Sequence, residues 1–171
     1  ADVLFDWAIA CAEFAPIVFD PNIRPQVMSD REKYVAVVEK WVSISSVVKL
    51  SDDDCEWLYP GQSAEKIAEQ WLQGGVALVV MTRGADGLIG YTSDGVVEVA
   101  GEKVSVVDTV GAGDTGGALI VQGLITDGLL NMRESVLKDV LHRAAVAAAI
   151  TCSRAGAQPP YAHEIRERLG N

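Results

Sequence analysis

The sequence predicts an α/β layered fold built on a largely parallel sheet, and three features of the chain lead there. Short apolar runs alternate with stretches of helical periodicity through the first half. Four strand ends carry Asp20, Lys49, Thr82 and Asp108, and the carboxyl ends of strands are where open α/β sheets hold their ligands. The 171 residues, 49% hydrophobic and 22% charged, are enough for one domain with a substantial core.

Residues 2–14 have a helical pattern. Ile17–Asp20 (IVFD) is a short apolar run ending at an acid and a proline, the form of a buried parallel strand that feeds a loop. Asp30–Val42 has helical spacing, with Tyr34, Val38 and Trp41 on one face. Ser46–Leu50 (SVVKL) follows as a second strand. Ser51 then heads Asp52-Asp53-Asp54, which suits an N-cap and an acidic first helical turn. A helix from about Ala64 to Leu72 leads into the strand Ala77–Thr82 (ALVVMT). Two β-like pieces, GLIGYT and GVVEVA, flank the turn Ser93-Asp94-Gly95. Lys103–Asp108 (KVSVVD) is expected as a strand entering a glycine-rich loop. Helices are expected over Ala112–Ile125, Met132–Thr151 and Ala162–Leu169.

A formal net charge of −10 argues against a nucleic-acid or anionic-membrane partner. It does not exclude ATP, because backbone amides and local positive charge decide that locally. Cys11, Cys55 and Cys152 are far apart and form no CxxC pair, which favours reduced thiols in a cytoplasmic protein over a zinc site or disulfide framework. The apolar run Ala144–Cys152 is too short to span a bilayer. The opening segment carries Asp2, Asp6 and Glu13, unlike a secretory leader. Helical patterning begins directly at the first residue, as in a piece of a longer protein.

The loop Val106–Leu119 (VVDTVGAGDTGGAL) admits two readings. Gly111, Gly113 and Gly116 have the spacing of a dinucleotide fingerprint, but that motif needs a second strand and a further acid, and Leu119 onward stays helical. No GxxxxGK[ST] occurs, so a Walker A loop is excluded. In the second reading the amides of Gly111, Ala112 and Gly113 form a nest at a helix start, suited to a phosphoryl group whose charge grows in flight. Asp114, one residue on, would accept the proton of an attacking hydroxyl. The plainer alternative, a glycine-rich helix start that Asp114 merely caps, stays open on this loop alone.

DTVGAGDT at Asp108–Thr115 closely resembles the C-terminal signature of the phosphofructokinase-B (ribokinase-like) carbohydrate kinases. FDPNIRP at Phe19–Pro25 and VVKLSDDDCEWL at Val47–Leu58 resemble segments of the fructokinase and 2-keto-3-deoxygluconate kinase branch. VVMTRGADG at Val79–Gly87 is similar to the nucleotide-binding Thr-x-Gly segment, and ITCSRAGAQPP at Ile150–Pro160 to the closing Gly-Ala segment. The resemblance implies a ribokinase-like three-layer α/β/α fold. It makes Asp114 the base and the amides of Gly111, Ala112 and Gly113 the anion hole, with Arg24 reaching a phosphate or an anionic substrate group. It lays Lys49, Ser51, Thr82, Gly84 and Gly87 along ATP and puts Ala145 near adenine. Asp54 takes the position that orients hydrated Mg²⁺. Asp108 and the carbonyls of Val110, Thr151, Arg154 and Gly156 stand where many relatives bind a monovalent cation such as K⁺.

The implied activity is transfer of the γ-phosphoryl of ATP to a sugar hydroxyl, on fructose or a similar ketose. The alternatives are 2-keto-3-deoxygluconate kinase and a non-catalytic nucleotide-binding fragment. Residues 1–171 correspond to the C-terminal, nucleotide and catalytic-base part of such a kinase, so the N-terminal half, with its sugar pocket and lid, is expected outside this chain. A homodimer of the full-length protein stays open. The sequence departs from the family pattern at Gly116-Gly117-Ala118-Leu119, where relatives usually place an aromatic and, after Ala, a glycine.

Overall fold

The computed structural model describes residues 2–170, which sort into two compact units: residues 2–81 with 91–93, and residues 82–90 with 94–170. The first unit holds α1 (Asp2–Ala12), β1 (Val18–Phe19), α2 (Arg31–Val42), β2 (Val47–Ser51), α3 (Asp52–Leu58) and α4 (Ala64–Gln73). It also holds all but the last residue of β3 (Leu78–Thr82). The chain then forms β4 (Leu88–Thr92) and β5 (Gly95–Val99). The second unit continues with α5 (Ala112–Asp127), α6 (Glu134–Cys152) and α7 (Ala162–Leu169).

The five strands form one sheet in the order β1-β2-β3-β4-β5. β1 and β2 are parallel, with Val18 opposite Val47 and Phe19 opposite Val48. The helices α3 and α4 separate β2 from β3, the kind of crossover that parallel neighbours require. β4 and β5 are joined by only Ser93-Asp94, so they run antiparallel and the sheet is mixed. Four successive residues are buried in both β2 (Val47–Leu50) and β3 (Leu78–Met81). Covered on both faces, such strands read as continuous apolar runs rather than alternating ones.

Capping explains where the helices of the first unit begin. Asp30 accepts from the Lys33 amide (3.2 Å), Ser51 from the Asp54 amide (3.0 Å) and Ser63 from the Lys66 amide (3.2 Å). Trp41 packs α2 against its neighbours, edge-on to Phe5 at 5.2 Å and stacked on Phe19 at 5.7 Å. In the second unit α6 is the core helix, burying Leu137, Val140, Leu141 and the run Ala144–Ala147. Gly123 of α5 is buried against Val140: a Cβ at 123 would stand 2.7 Å from Cγ2 of that valine.

One expected element is corrected. Lys103–Asp108 is not a strand, because its backbone finds no ladder partner among the described residues. The amides of Val107 (2.8 Å) and Asp108 (3.2 Å) bond instead to the carbonyl of Cys152, at the end of α6, and Val106 and Val107 are exposed. A β-prone run becomes a strand only where another strand accepts its hydrogen bonds. Several boundaries also move, those of α1 and α6 among them. α1 stops at Ala12, where the amides of Phe14 and Ala15 both turn back to the Cys11 carbonyl. α6 starts two residues late, after a 3-10 turn at Leu129–Asn131.

Candidate functional site

In the first unit, β1 and β2 end side by side and bring Asp20 and Lys49 together. Lys49 is buried, and its ammonium donates to Asp20 Oδ2 at 2.5 Å. A buried lysine needs such a partner, because an uncompensated charge there would be costly. The other oxygen of Asp20 accepts from the Asn22 amide at 3.3 Å, and Asn22 sits at φ +45°, a conformation asparagine tolerates better than most residues. Arg24 is exposed; its amide donates to the Tyr34 hydroxyl (3.1 Å) and its guanidinium folds onto the carbonyl of Ile23 (2.8 Å).

At the end of β2, Ser51 caps α3 and retains its own hydroxyl proton for another acceptor. Asp54 is half-buried in the first turn of α3. Next to it Cys55 is buried, and burial, reinforced by the charges of Glu56, Asp52 and Asp54, pushes its thiol up to about 11. That sulfur is a packing group and not a nucleophile. Among the described residues no three His, Cys, Asp or Glu side chains converge to hold a metal ion. Hydrated Mg²⁺ asks for only one or two carboxylates beside phosphate, a role that Asp54 fits in type and exposure.

The second unit contains the Thr82–Gly87 turn. After Thr82 the chain passes through Arg83 into a 3-10 turn at Gly84–Asp86. Gly84 has φ +52° with open space where a Cβ would stand, so a flat ligand could approach the backbone closely there. Gly87 is different. At φ +97°, its Cβ would lie 2.5 Å from the Gly101 amide nitrogen and closer still to the Val99 carbonyl oxygen. Gly101 is the reciprocal case, since its Cβ would drive into the carbonyl of Ala85. The turn therefore rests backbone-to-backbone on residues 99–101.

The glycine loop lies in the same unit. Asp108 Oδ1 accepts from the Val110 amide (3.0 Å) and Oδ2 from the Gly156 amide (2.9 Å), so one carboxylate ties this loop to the segment after α6. Those two amides, Val110 first, hold the Asp108 carboxyl below its ordinary range. Gly111 turns the chain at φ +80° into α5, which has no side-chain cap. The amide of Ala112 is bonded to the Thr109 carbonyl (3.2 Å), and the Thr115 amide is the next to find one, at Gly111 (2.9 Å). The amides between them, of Gly113 and Asp114, are first-turn donors of the kind a helix leaves without an internal partner. Asp114 itself is exposed. Beneath it the buried hydroxyls of Thr115 and Thr151 are 3.1 Å apart. Thr151 also bonds the Ala147 carbonyl (3.0 Å); that uses its one proton, so Thr115 donates to Thr151.

Two residues beyond those expected from sequence hold parts of this unit in place, and the first secures the segment after α6. Arg154 pairs with Glu164, which also accepts from the Tyr161 amide (2.7 Å). Arg154 further approaches the carbonyls of Gln158 (3.5 Å) and Pro159 (3.4 Å). Glu164 lies outside every motif, and its only sequence signal is its place three residues after Tyr161 at a helix start. The other unanticipated residue is Glu98, which pairs with Arg83 at 2.5 Å. Ala145 is buried on α6. The histidines lie outside every motif: His142 is 3.7 Å from Glu102, and His163 stacks on Tyr161. The three cysteines are free thiols. No described helix is long and apolar enough to cross a membrane.

The chemistry available is thus anion binding at an uncapped helix start beside an exposed carboxylate, with a glycine-lined turn open to a flat ligand. The family model of the pfkB carbohydrate kinases matches residues 2–164. A fructokinase of Rhizobium leguminosarum bv. trifolii is 44% identical over 118 residues, which cover 69% of this chain and 36% of that protein. A fructokinase from Xylella fastidiosa, solved with bound ATP, is similar with a TM-score of 0.85 at 25% identity, over 99% of this chain and 57% of that one. A fructokinase double mutant from Vibrio cholerae O395, solved in a fructose-, ADP- and potassium-bound form, is similar with a TM-score of 0.80 at 27% identity. It covers 91% of this chain and 50% of its own. This chain accordingly spans about half or less of the length of these relatives, and it shares their ribokinase-like α/β fold. Because the family match runs without a break from the start of α1 into α7, the chain belongs to the pfkB family of carbohydrate kinases.

Proposed function

We propose that the protein carrying this chain is an ATP-dependent kinase that transfers the γ-phosphoryl group to a hydroxyl of fructose or a similar ketose. One observation carries the reading: α5 begins at a left-handed glycine with no side-chain cap, and the exposed Asp114 stands in its first turn. First-turn amides with the positive end of a helix behind them favour negative charge, most of all charge that develops during reaction. Asp114 takes the proton of the sugar hydroxyl as its oxygen bonds to the γ-phosphorus and the bond to the β-γ bridging oxygen breaks, releasing ADP. Thr82, Gly84 and Gly87 form the edge along which the nucleotide lies. Lys49, held by Asp20, and Ser51 serve the phosphates. Arg24 supplies a fork of donors for phosphate or an anionic substrate group. Asp54 would orient hydrated Mg²⁺, which when bound would supply neutralisation of the phosphate charge. Asp108 ties the loop that carries the Val110 carbonyl to the segment that carries those of Arg154 and Gly156; with the Thr151 carbonyl near the end of α6, these would hold a monovalent cation. Fructose as acceptor follows the similar fructokinases and not any pocket within this chain.

The test is ATP consumption by the protein against fructose, 2-keto-3-deoxygluconate and ribose, with wild type and Asp114→Asn. Fructose should stimulate turnover most, and the variant should lose about 100- to 10,000-fold in kcat, the span of a general base. Wild-type turnover by the variant would remove Asp114 from the chemistry. ATP binding with no sugar-stimulated turnover would make the protein a nucleotide binder and not a kinase.

A further inference from the structure

Arg83 lies between two residues of the nucleotide-facing turn, yet its side chain points away from them to β5. Its amide donates to the Gly87 carbonyl (2.8 Å) and its carbonyl accepts from the Asp86 amide (2.9 Å). Its guanidinium Nη2 reaches the Asp86 carbonyl (3.3 Å) and Glu98 Oε1 (2.5 Å), while its Nε is buried without a partner among the described residues. The side chain therefore depends on its Nη2 contacts for placement. Glu98 immediately precedes Val99–Gly101, the stretch on which Gly87 and Ala85 lie with no side chain between.

We propose that Arg83 and Glu98 form a latch that positions the Thr82–Gly87 turn for the nucleotide, Arg83 being a positioning residue that does not itself touch ATP. The inference rests on the nucleotide reading given above. The glycine contacts set how closely the turn approaches β5, but glycines supply no lateral anchor. The latch supplies it, tying the second residue of the turn to the strand just ahead of the contact. Glu98 is 61% exposed, so the pair adds little to global stability, and its loss should shift the turn without unfolding the protein.

Binding of Mg·ATP, measured by titration calorimetry, together with steady-state kinetics on wild type, Arg83→Ala, Glu98→Gln and the double variant, separates the alternatives. The latch predicts about fivefold weaker binding for Glu98→Gln and about tenfold for Arg83→Ala, which also loses the Asp86 contact. KM for ATP should rise by the same factors with kcat at saturation unchanged, and the second substitution should add little to the first. A direct contact between Arg83 and phosphate predicts instead that Arg83→Ala weakens binding while Glu98→Gln leaves it intact or tightens it. That outcome overturns the latch and leaves the nucleotide reading standing. Equal ATP affinity in all four proteins does the same. No ATP binding by wild type overturns the nucleotide reading itself, and the latch with it.

Discussion

Replacing Gly87 with alanine tests whether the Thr82–Gly87 turn is held by backbone-to-backbone contact. The new methyl carbon would lie 2.5 Å from the Gly101 nitrogen and nearer still to the Val99 carbonyl, whereas ordinary contact needs more than 3 Å. Both obstacles are backbone, so neither can rotate aside; the turn must lift away from residues 99–101. Gly87 also has φ +97° with ψ −140°, a region kept almost entirely to glycine, which costs alanine about 1–3 kcal/mol. Overpacking adds about 1–3 kcal/mol, for a total of about 2–6 kcal/mol. In a chain of this length that lowers Tm by roughly 4–24 °C. Gly84→Ala is the internal control: its φ is also positive, at +52°, but nothing lies within 4 Å of the added carbon. It should cost only about 1 kcal/mol, through backbone strain alone. Thermal and denaturant unfolding of the two variants gives the comparison. Equal destabilisation by both would show that residues 99–101 do not confine the turn.

Gly123→Ala should destabilise by roughly 1–3 kcal/mol, because its Cβ meets Val140 at 2.7 and 2.9 Å; pairing it with Val140→Ala in a double-mutant cycle should recover part of the loss. Gly116→Ala should raise stability by about 1 kcal/mol, since this helical glycine of α5 has nothing within 4 Å of an added Cβ and helix propensity favours alanine; a fall in Tm would refute that. Asp108 has a carboxyl depressed by the Val110 and Gly156 amides, so its contribution is present above the ordinary aspartate range and is lost as pH falls through its lowered folded-state value. Asp108→Asn should therefore flatten the acid side of the stability profile, and an unchanged profile would deny the carboxylate that role.

Most of the secondary structure was legible because periodicity and capping are local. Ser51 ahead of three aspartates announced α3, and the continuous apolar runs announced β2 and β3, since burial on both faces removes alternation. The glycine loop was legible as well, because a helix start without a capping side chain and with an acid in its first turn is written in eight consecutive residues. What misled was Lys103–Asp108, whose β-branched residues satisfy a strand pattern but whose amides go to Cys152. Strand propensity describes a residue's fit to a half-buried pleat, and it is silent on whether a partner is there.

The sequence by itself determined most of the helices and strands, the family and a candidate for the base, because each is carried by spacing within a short window. Only the tertiary structure decided the partnerships: Asp20 with Lys49 across 29 residues, Arg83 with Glu98 across 15, and Asp108 with Gly156 across 48. It also decided that Gly87 and Gly101 exist for each other's backbone. The physical reason is common to all four. A hydrogen bond or a close backbone approach depends on where distant segments are brought by burial of their apolar neighbours, and no local pattern of residue types records that distance.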